Sequence, residues 1–401
     1  MSDLRTVSTI KLYDQDAYNT EFDAVVICVE QIEDGDYKGA NRVCLDKTLF
    51  FPEEGGQEAD FGTLNGMEVL DVQIEKRDGN ELIFHVVKGD LKEGDSVHGL
   101  IDWNHRFDQM QQHSGEHIFS GTVHNKYGYD NVGFHLSRQV VTMDFNGPLD
   151  DAQVLDIERT VNEIIVRNLE ICISWPSKDE LDKLEYRSKK ELDGDVRIVT
   201  IPGVDVCACC APHVRRTGEI GFLKVLSRQN YKGGVRVTIE CGLRALKTLD
   251  SEHTLIQNLA GSLTTSVENV PGQVEKLRDE LYEVKGSLQK AKAELISYKL
   301  KEIPQDQKNV TVFVEDMDNK SIQNAINELT ATHSGYCSFF VKTDNGYRFV
   351  CGIAQGDARL VAGVLREKFG AKGGGSEKMV QGSLGAASED EILKVIDDIN
   401  S

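Results

Sequence analysis

Two short segments of the sequence carry residues that are typical metal ligands. One contains His113 and His117, and the other contains Cys209 and His213. Within each pair the residues are four positions apart, so on a helix they lie on one face, near chelating distance. Three imidazoles and a thiolate form a complete tetrahedral set for Zn²⁺, with bonds of about 2.0 to 2.3 Å. The sequence therefore predicts a zinc site if the two segments meet.

The choice of thiol ligand is open at this point. Cys207 and Cys210 lie close enough to Cys209 to replace it, or they pack in a core instead. The chain has nine cysteines that are scattered apart from this cluster. In a chain of this size the pattern favours a metal site in a reducing compartment over a disulfide framework.

The histidine segment also fits the H-x-x-E-H pattern of inverzincin metalloproteases. In that interpretation Glu116 is the general base, and a distant glutamate, for which Glu191 is the candidate, supplies the third ligand. Such a site leaves the second pair, Cys209 and His213, without a role. The protease is therefore the weaker alternative.

Local patterns predict the elements that hold these residues. A helix should run from an N-cap at Asp102 to a stop at Gly128, with the histidine pair inside it. A strand over residues 196–201 should deliver the cysteine cluster into a loop, because Pro212 prevents continuation as a helix.

The whole chain is predicted to be α+β, with four segments. Alternating apolar residues and Asn-Gly or Asp-Gly turns predict a small β-barrel at the N-terminus, and mixed helices and strands follow it. The segments are an N-terminal barrel-like domain (1–100), an α+β zinc-binding domain (101–248), a helical or coiled-coil segment (249–304) and a C-terminal α/β domain (305–401).

Apolar residues spaced alternately by four and three indicate a heptad helix over residues 270–298, ended by Pro304. A homodimer formed through this helix is the sharper prediction. An intramolecular hairpin with a second helix near residues 255–263 is the alternative.

The net charge of −21 argues against a protein that coats nucleic acid without regard to sequence, since that activity needs an excess of lysine and arginine. One segment, 214–247, is nevertheless basic, with eight basic residues against two acidic ones. It is either a solvated surface or a surface that attracts a polyanionic substrate. No membrane span or signal peptide is recognisable, so we expect a cytoplasmic protein without a membrane partner.

A glycine-rich stretch, 370–382, lies between two predicted helices near the C-terminus. Glycines allow the backbone to approach a phosphate, and the lysines supply charge. An ordinary loop is the alternative interpretation.

Three separated motifs together resemble the alanyl-tRNA editing proteins, the free-standing AlaX relatives of the editing domain of alanyl-tRNA synthetase. They are Phe51-Pro-Glu-Glu-Gly-Gly-Gln-Glu-Ala-Asp-Phe-Gly62, Gln111-Gln-His-Ser-Gly-Glu-His117 and Cys209-Cys-Ala-Pro-His213 with Thr217-Gly-Glu-Ile-Gly221. The heptad helix and the glycine-rich stretch are similar to the C-terminal domain of that synthetase. The likeness covers nearly the whole chain and indicates the long AlaX form.

This resemblance implies a trans-editing hydrolase that removes serine, or glycine, from mischarged tRNA for alanine. It implies zinc bound by His113, His117, Cys209 and His213, with no catalytic residue assigned beyond the metal site. It places Gly55, Gly56 and Gln57 at the edge of the editing pocket. The residues expected to contact tRNA are Arg215, Arg216, Lys232, Arg236, Lys372, Gly373, Gly374, Gly375 and Lys378.

The chain departs from the synthetase pattern in two respects. Residues 210–212 read Cys-Ala-Pro where family members often have Gly-Gly-Thr, and nothing resembles an adenylation site, so ATP binding and tRNA charging are not expected. Because four protein ligands fill a tetrahedral shell, a tRNA-binding module with structural zinc is the alternative function.

Overall fold

The structure, a computed structural model, describes residues 8–188 and 195–399. The chain divides into two compact units, Met1–Gln257 and Asn258–Ser401. The mixed class of helices and sheets agrees with the predicted α+β composition. The finer division into four segments stays a prediction.

The first hundred residues form strands, six of which close into a barrel in the order β2-β3-β7-β6-β5-β8. Alternate residues of β8 are buried, as expected for strands with one face on a core. The short strands β1 and β4 pair in parallel beside the barrel. The strands are β1 (Ile10–Lys11), β2 (Glu21–Gln31), β3 (Asn41–Leu45), β4 (Lys47–Thr48), β5 (Gly62–Leu64), β6 (Met67–Arg77), β7 (Asn80–Val87) and β8 (Ser96–Ile101).

The rest of the first unit contains two sheets, in the orders β14-β15-β10-β9 and β11-β12-β13. One apolar core joins α1 and α2 to the four-stranded sheet. The elements are α1 (Trp103–Tyr127), β9 (Asn131–Leu136), β10 (Val141–Phe145), α2 (Asp151–Val166), β11 (Cys172–Ser174), α3 (Lys178–Leu181), β12 (Ile198–Ile201), β13 (Asp205–Ala208), β14 (Leu223–Tyr231), β15 (Gly234–Cys241) and α4 (Gly242–Ser262).

Helix α1 begins and ends where the sequence predicts. The Asp102 side chain accepts a hydrogen bond from the His105 backbone N–H, and Gly128 ends the helix in the left-handed region with φ of 70°. Most of its residues are buried, including many polar ones. A central helix buried on all sides lacks the polar face of a surface helix, so its polar side chains need partners inside the protein.

The predicted loop for the cysteine cluster is wrong in part. Cys207 lies in β13, which pairs with β12, and only the residues from Cys209 onward leave the sheet. The strand continues because the chain turns at Gly203, which has φ of 72°, and returns along β12 as a hairpin.

The second unit has a long helix followed by a five-stranded sheet in the order β16-β17-β18-β20-β19. Strands β16 and β17 are parallel and joined by α6, a helix that the sequence analysis missed. The elements are α5 (Val270–Lys301), β16 (Val310–Val314), α6 (Asn319–Thr332), β17 (Cys337–Thr343), β18 (Gly346–Gly352), α7 (Arg359–Phe369), β19 (Lys372–Gly375), β20 (Met379–Leu384) and α8 (Glu389–Asp397).

The glycine-rich stretch is not the predicted loop. Residues Lys372–Gly375 form β19, which pairs with β20 at the edge of the sheet. Gly373 and Gly375 lie against β20 so closely that a Cβ would be 2.2 Å from a backbone oxygen at either position. Glycine is therefore required here for strand pairing.

The heptad residues of α5 are exposed. Leu277, Leu281 and Leu288 retain about half of their side-chain exposure, and within the described residues no second helix covers this seam. No helix among these residues has both the length and the apolar character needed to cross a membrane.

Candidate metal centre

The four predicted ligands meet at one point. Their ligand atoms all lie within 4.8 Å of one another. Cys209 Sγ is 3.4 Å from His113 Nε2 and 3.4 Å from His213 Nε2. Zinc bonds of about 2.0 Å to nitrogen and 2.3 Å to sulfur at a tetrahedral angle separate these atoms by about 3.5 Å. The donor set and its spacing therefore fit Zn²⁺.

Each of the three histidines is held by its other ring nitrogen. His113 Nδ1 lies 2.7 Å from Gln57 Oε1, His117 Nδ1 lies 2.9 Å from Asp205 Oδ2, and His213 Nδ1 lies 3.0 Å from Ser114 Oγ. Such outer partners fix the ring orientation and leave Nε2 for the metal. The three rings also contact one another, with centroids 4.6 to 5.3 Å apart. The site is thus organised by the chain itself.

Asp205 is the charged member of this outer set. It is buried, and Arg187 donates two hydrogen bonds to it, Nε to Oδ1 at 2.7 Å and Nη2 to Oδ2 at 2.9 Å. Burial alone opposes ionisation, but the hydrogen bonds from His117 and Arg187 lower the pKa of the Asp205 carboxyl. An ionised Asp205 is a stronger acceptor for His117 than a neutral group.

Electrostatics prepare the thiolate and one imidazole for metal binding. Although burial opposes ionisation of Cys209, interactions with the neighbouring imidazoles of His113, His213 and His117 lower its pKa well below the usual range. Burial lowers the pKa of His213 to about 3. A deprotonated thiol and a neutral imidazole are the forms that bind zinc.

The geometry separates Cys209 from its two neighbours. The Cys207 thiol donates to its neighbouring carbonyl, that of Ala208, at 3.6 Å. Cys210 lies beside Gly55, where a Cβ would be 3.6 Å from its sulfur. Cys207 instead forms a second potential cluster with His117 and Asp205, whose carboxylate Arg187 already occupies.

The Gly55-Gly56-Gln57 motif touches the centre in a way the sequence did not indicate. Gln57 is buried and its side chain bonds to His113, so it holds the ring of a proposed ligand. Gly56 has φ of 88°, and a Cβ there would be 2.5 Å from the Phe134 carbonyl oxygen. Gly56 O accepts the Leu136 N–H at 2.7 Å, which joins the motif to β9.

A buried polar group beside His117 was missed. Glu116 Oε1 accepts hydrogen bonds from Ser120 Oγ and Asn131 Nδ2, both at 2.6 Å. Glu116 Oε2 lies 3.9 Å from His117 Nε2. The i, i+4 spacing of Glu116 and Ser120 was visible in the sequence, but the contribution of Asn131 from β9 requires the tertiary fold.

A cleft of about 1080 Å³ is lined by residues that surround the four proposed ligands. Asp205, Cys207 and Asn131 line it, together with Tyr186 and Arg187. None of the four proposed ligands lines this cleft.

The predicted basic surface is largely neutralised by acids from other segments. Arg215 pairs with Asp16 at 3.1 Å, and Arg236 pairs with Asp144 at 2.6 Å. Five other members also have partners: Arg216 donates to the Asn168 carbonyl, Lys232 lies over Tyr231, Lys224 pairs with Glu158, Arg228 with Asp151 and Arg244 with Asp108. The local excess of positive charge is thus smaller in the fold than in the sequence.

In the second unit, Lys372, Gly373 and Gly374 line a cleft of about 470 Å³ with Arg348. Gly375 ends the same strand, and Lys378 is exposed in the turn to β20.

The chain is similar to proteins of known function over nearly its whole length. The family described as threonyl and alanyl tRNA synthetase second additional domain matches residues 196–238, and class II (A) tRNA synthetases match residues 1–105. Alanyl-tRNA editing protein AlaX-L of Pyrococcus horikoshii is 29% identical over 96% of each chain. Alanyl-tRNA editing protein Aarsd1 of Danio rerio is 30% identical over 79% of each chain. The chain belongs to the alanyl-tRNA editing protein family.

The relation to the ligases is partial. The alanine–tRNA ligase of Methanopyrus kandleri is 28% identical over 97% of this chain, but the match spans 44% of that enzyme. The chain therefore corresponds to less than half of the length of such a ligase.

Proposed function

We propose that the protein is a trans-editing hydrolase that deacylates mischarged tRNA for alanine, with serine and possibly glycine as the acyl group removed. The observation that carries this proposal is the meeting of His113, His117, Cys209 and His213 at one point in a member of this family. Hydrolysis adds water across the ester and releases the amino acid and a free ribose hydroxyl.

Zn²⁺ bound by these four residues would act as a template that fixes the shape of the pocket holding the esterified end of the substrate. Four protein ligands leave no vacant tetrahedral position, which favours a positioning role over attack by a bound hydroxide. Gln57, Asp205 and Ser114 keep the imidazoles oriented while substrate enters.

The group formed by Glu116, Ser120 and Asn131 is proposed as the polar wall that faces the acyl group. Its carboxylate lies close to His117, and its hydroxyl and amide are fixed by hydrogen bonds. A polar wall selects a hydroxylated side chain better than an apolar wall does, because its buried groups lose partners with the wrong substrate.

For tRNA binding we propose two surfaces. Arg215, Arg216, Lys232 and Arg236 belong to the first unit, and the cleft with Lys372 and Gly373–Gly375, together with Lys378, belongs to the second. The exposed seam of α5 is proposed to form a homodimer.

The decisive experiment combines metal analysis with deacylation of seryl-, glycyl- and alanyl-tRNA for alanine. We expect Cys209→Ala to lose zinc and deacylation, whereas Cys172→Ala, at an exposed cysteine, retains both. Retention of zinc and rate by Cys209→Ala would refute the ligand assignment.

The alternative functions give different results in the same assay. A tRNA-binding module with structural zinc would bind tRNA while the ester decays at the rate seen in buffer. A metalloprotease would release peptides from a protein substrate. Its proposed third ligand, Glu191, lies outside the described residues, and it leaves Cys209 and His213 unexplained.

A further inference from the structure

An arginine near the Gly55-Gly56-Gln57 motif is stacked on an aromatic ring. Arg138 lies in the turn between β9 and β10, and its guanidinium carbon is 3.8 Å from the centre of the Phe61 ring. The Phe61 ring meets the His105 ring edge to face, with centroids 4.6 Å apart. His105 Nε2 donates to the Ala59 carbonyl at 3.0 Å. The stack thus joins Arg138 to α1.

The backbone around Arg138 is also fixed. The Arg138 N–H donates to Glu58 Oε2 at 3.0 Å, and the Ser137 carbonyl accepts from Arg244 Nη1 at 2.8 Å. The Val140 N–H donates to Ser137 Oγ at 3.2 Å. A guanidinium on such a turn loses less conformational entropy on binding than a free surface side chain does.

The guanidinium is held in place but has no acceptor. Among the residues that the structure describes, no carboxylate or carbonyl receives a hydrogen bond from it, and the side chain is exposed. Arg215 and Arg236, by contrast, are paired with Asp16 and Asp144. Arg138 therefore offers planar N–H donors that match the geometry of a phosphate.

The position of Arg138 relates it to the metal centre. Leu136, two residues earlier, accepts from the Glu58 N–H and donates to the Gly56 carbonyl, and Gln57 between them bonds to His113. His105 and His113 are eight residues apart on α1, a rise of about 12 Å. The stack of Arg138 and Phe61 thus contacts α1 about two helical turns before His113.

We propose that Arg138 binds a backbone phosphate of the single-stranded 3′ end of the tRNA, just before the esterified nucleotide. This inference rests on the proposed function, since the ester must lie at the metal centre. It assigns Arg138 to substrate binding and not to the hydrolytic step.

The test compares Arg138→Ala, Arg138→Lys and a matched control, Arg159→Ala, which removes an exposed arginine from α2. Two substrates are used, seryl-tRNA for alanine and a seryl ester of adenosine, which has no phosphate. We expect Arg138→Ala to raise KM for the tRNA about tenfold with kcat unchanged, and to lower the salt dependence of binding by about one counterion. Arg138→Lys should recover part of the affinity.

The adenosine ester should be hydrolysed equally by all variants. An equal KM for tRNA in Arg138→Ala and Arg159→Ala, or an equal loss with the phosphate-free ester, would overturn the proposal. Binding of uncharged tRNA, measured in parallel, separates this inference from the proposed function. If the wild type deacylates neither substrate, the proposed function fails, while weaker tRNA binding by Arg138→Ala alone still supports the phosphate contact.

Discussion

At the scale of single residues, the centre depends on atoms that do not touch the proposed metal. Gln57, Asp205 and Ser114 come from three different segments, yet each ties down one imidazole. Asp205 differs from the other two because it is charged and is itself held by Arg187. Loss of the Asp205 carboxylate should therefore disturb its imidazole, that of His117, more than loss of Gln57 or Ser114 disturbs theirs.

Asp205→Asn should weaken zinc binding about 10- to 100-fold, because His117 loses its ionised acceptor. A matched control is Asp144→Asn, which also removes a carboxylate that receives two hydrogen bonds from one arginine, Arg236, but is not bonded to a ligand histidine. Chelator competition measures the affinity. Equal zinc affinity in the two variants would contradict the role given to Asp205.

At the scale of elements, the barrel and α1 meet through the segment that carries Gly55 to Asp60. Arg106 of α1 is fully buried and donates to Asp60 and to the carbonyls of Ala17 and Leu49. This buried pair fixes the end of the glycine-rich motif to the helix that bears the histidines. The barrel thus positions the motif, and α1 contacts it through Arg106 and His113.

Gly56→Ala should reduce both stability and zinc affinity. The left-handed backbone alone costs about 1 kcal/mol for a residue with a Cβ, and the added atom would also clash with the Phe134 carbonyl. The control is Gly79→Ala, which has φ of 83° but open space around the Cβ. Urea unfolding should show a loss in both, whereas the fall in zinc affinity, about tenfold, should be confined to Gly56→Ala.

The barrel should also lose stability in acid through His85. This residue of β7 is buried, with Nε2 2.9 Å from Thr48 Oγ1, and burial lowers its pKa to about 4. A histidine in the unfolded chain has a pKa near 6.5, so the unfolded state binds more protons between these values. The stabilising contribution is complete above pH 6.5 and is lost as the pH falls through 4, a change of about 3 kcal/mol.

His85→Gln should therefore show a flatter dependence of unfolding free energy on pH between 7 and 4, by urea titration at each pH. Identical slopes for the variant and the wild type would contradict this account.

At the scale of the whole molecule, the first unit holds the proposed metal centre, and the second unit presents an exposed apolar seam and a glycine-lined cleft. Exposed leucines in heptad positions are typical of helices that pair with another chain. The proposed homodimer follows from this feature of α5.

Leu281→Lys should convert a dimer into a monomer of 44.6 kDa in sedimentation equilibrium, because a charge would enter the seam. Tyr282→Lys places the same charge one residue away, at a side chain that is 80% exposed, and should leave the dimer intact. A wild-type protein that sediments as a monomer at micromolar concentration would rule out the dimer.

The sequence by itself determined the local features. It predicted α1 with both caps and the ligand pairs, because capping and four-residue spacing depend only on neighbours in the chain. It also predicted the strands of the N-terminal segment from alternation and turns. It missed α6, and it did not predict the strand Lys372–Gly375, because a lysine and three glycines carry little β-propensity even though the partner strand β20 follows directly in the chain.

Only the tertiary structure decided which groups act together. It brought Cys209 together with His113, His117 and His213, placed Gln57 against His113, and joined Glu116 to Asn131. It also showed that most of the basic residues of 214–247 are paired with acids far away in sequence. These outcomes depend on contacts between segments that are remote along the chain, and no local spacing encodes them.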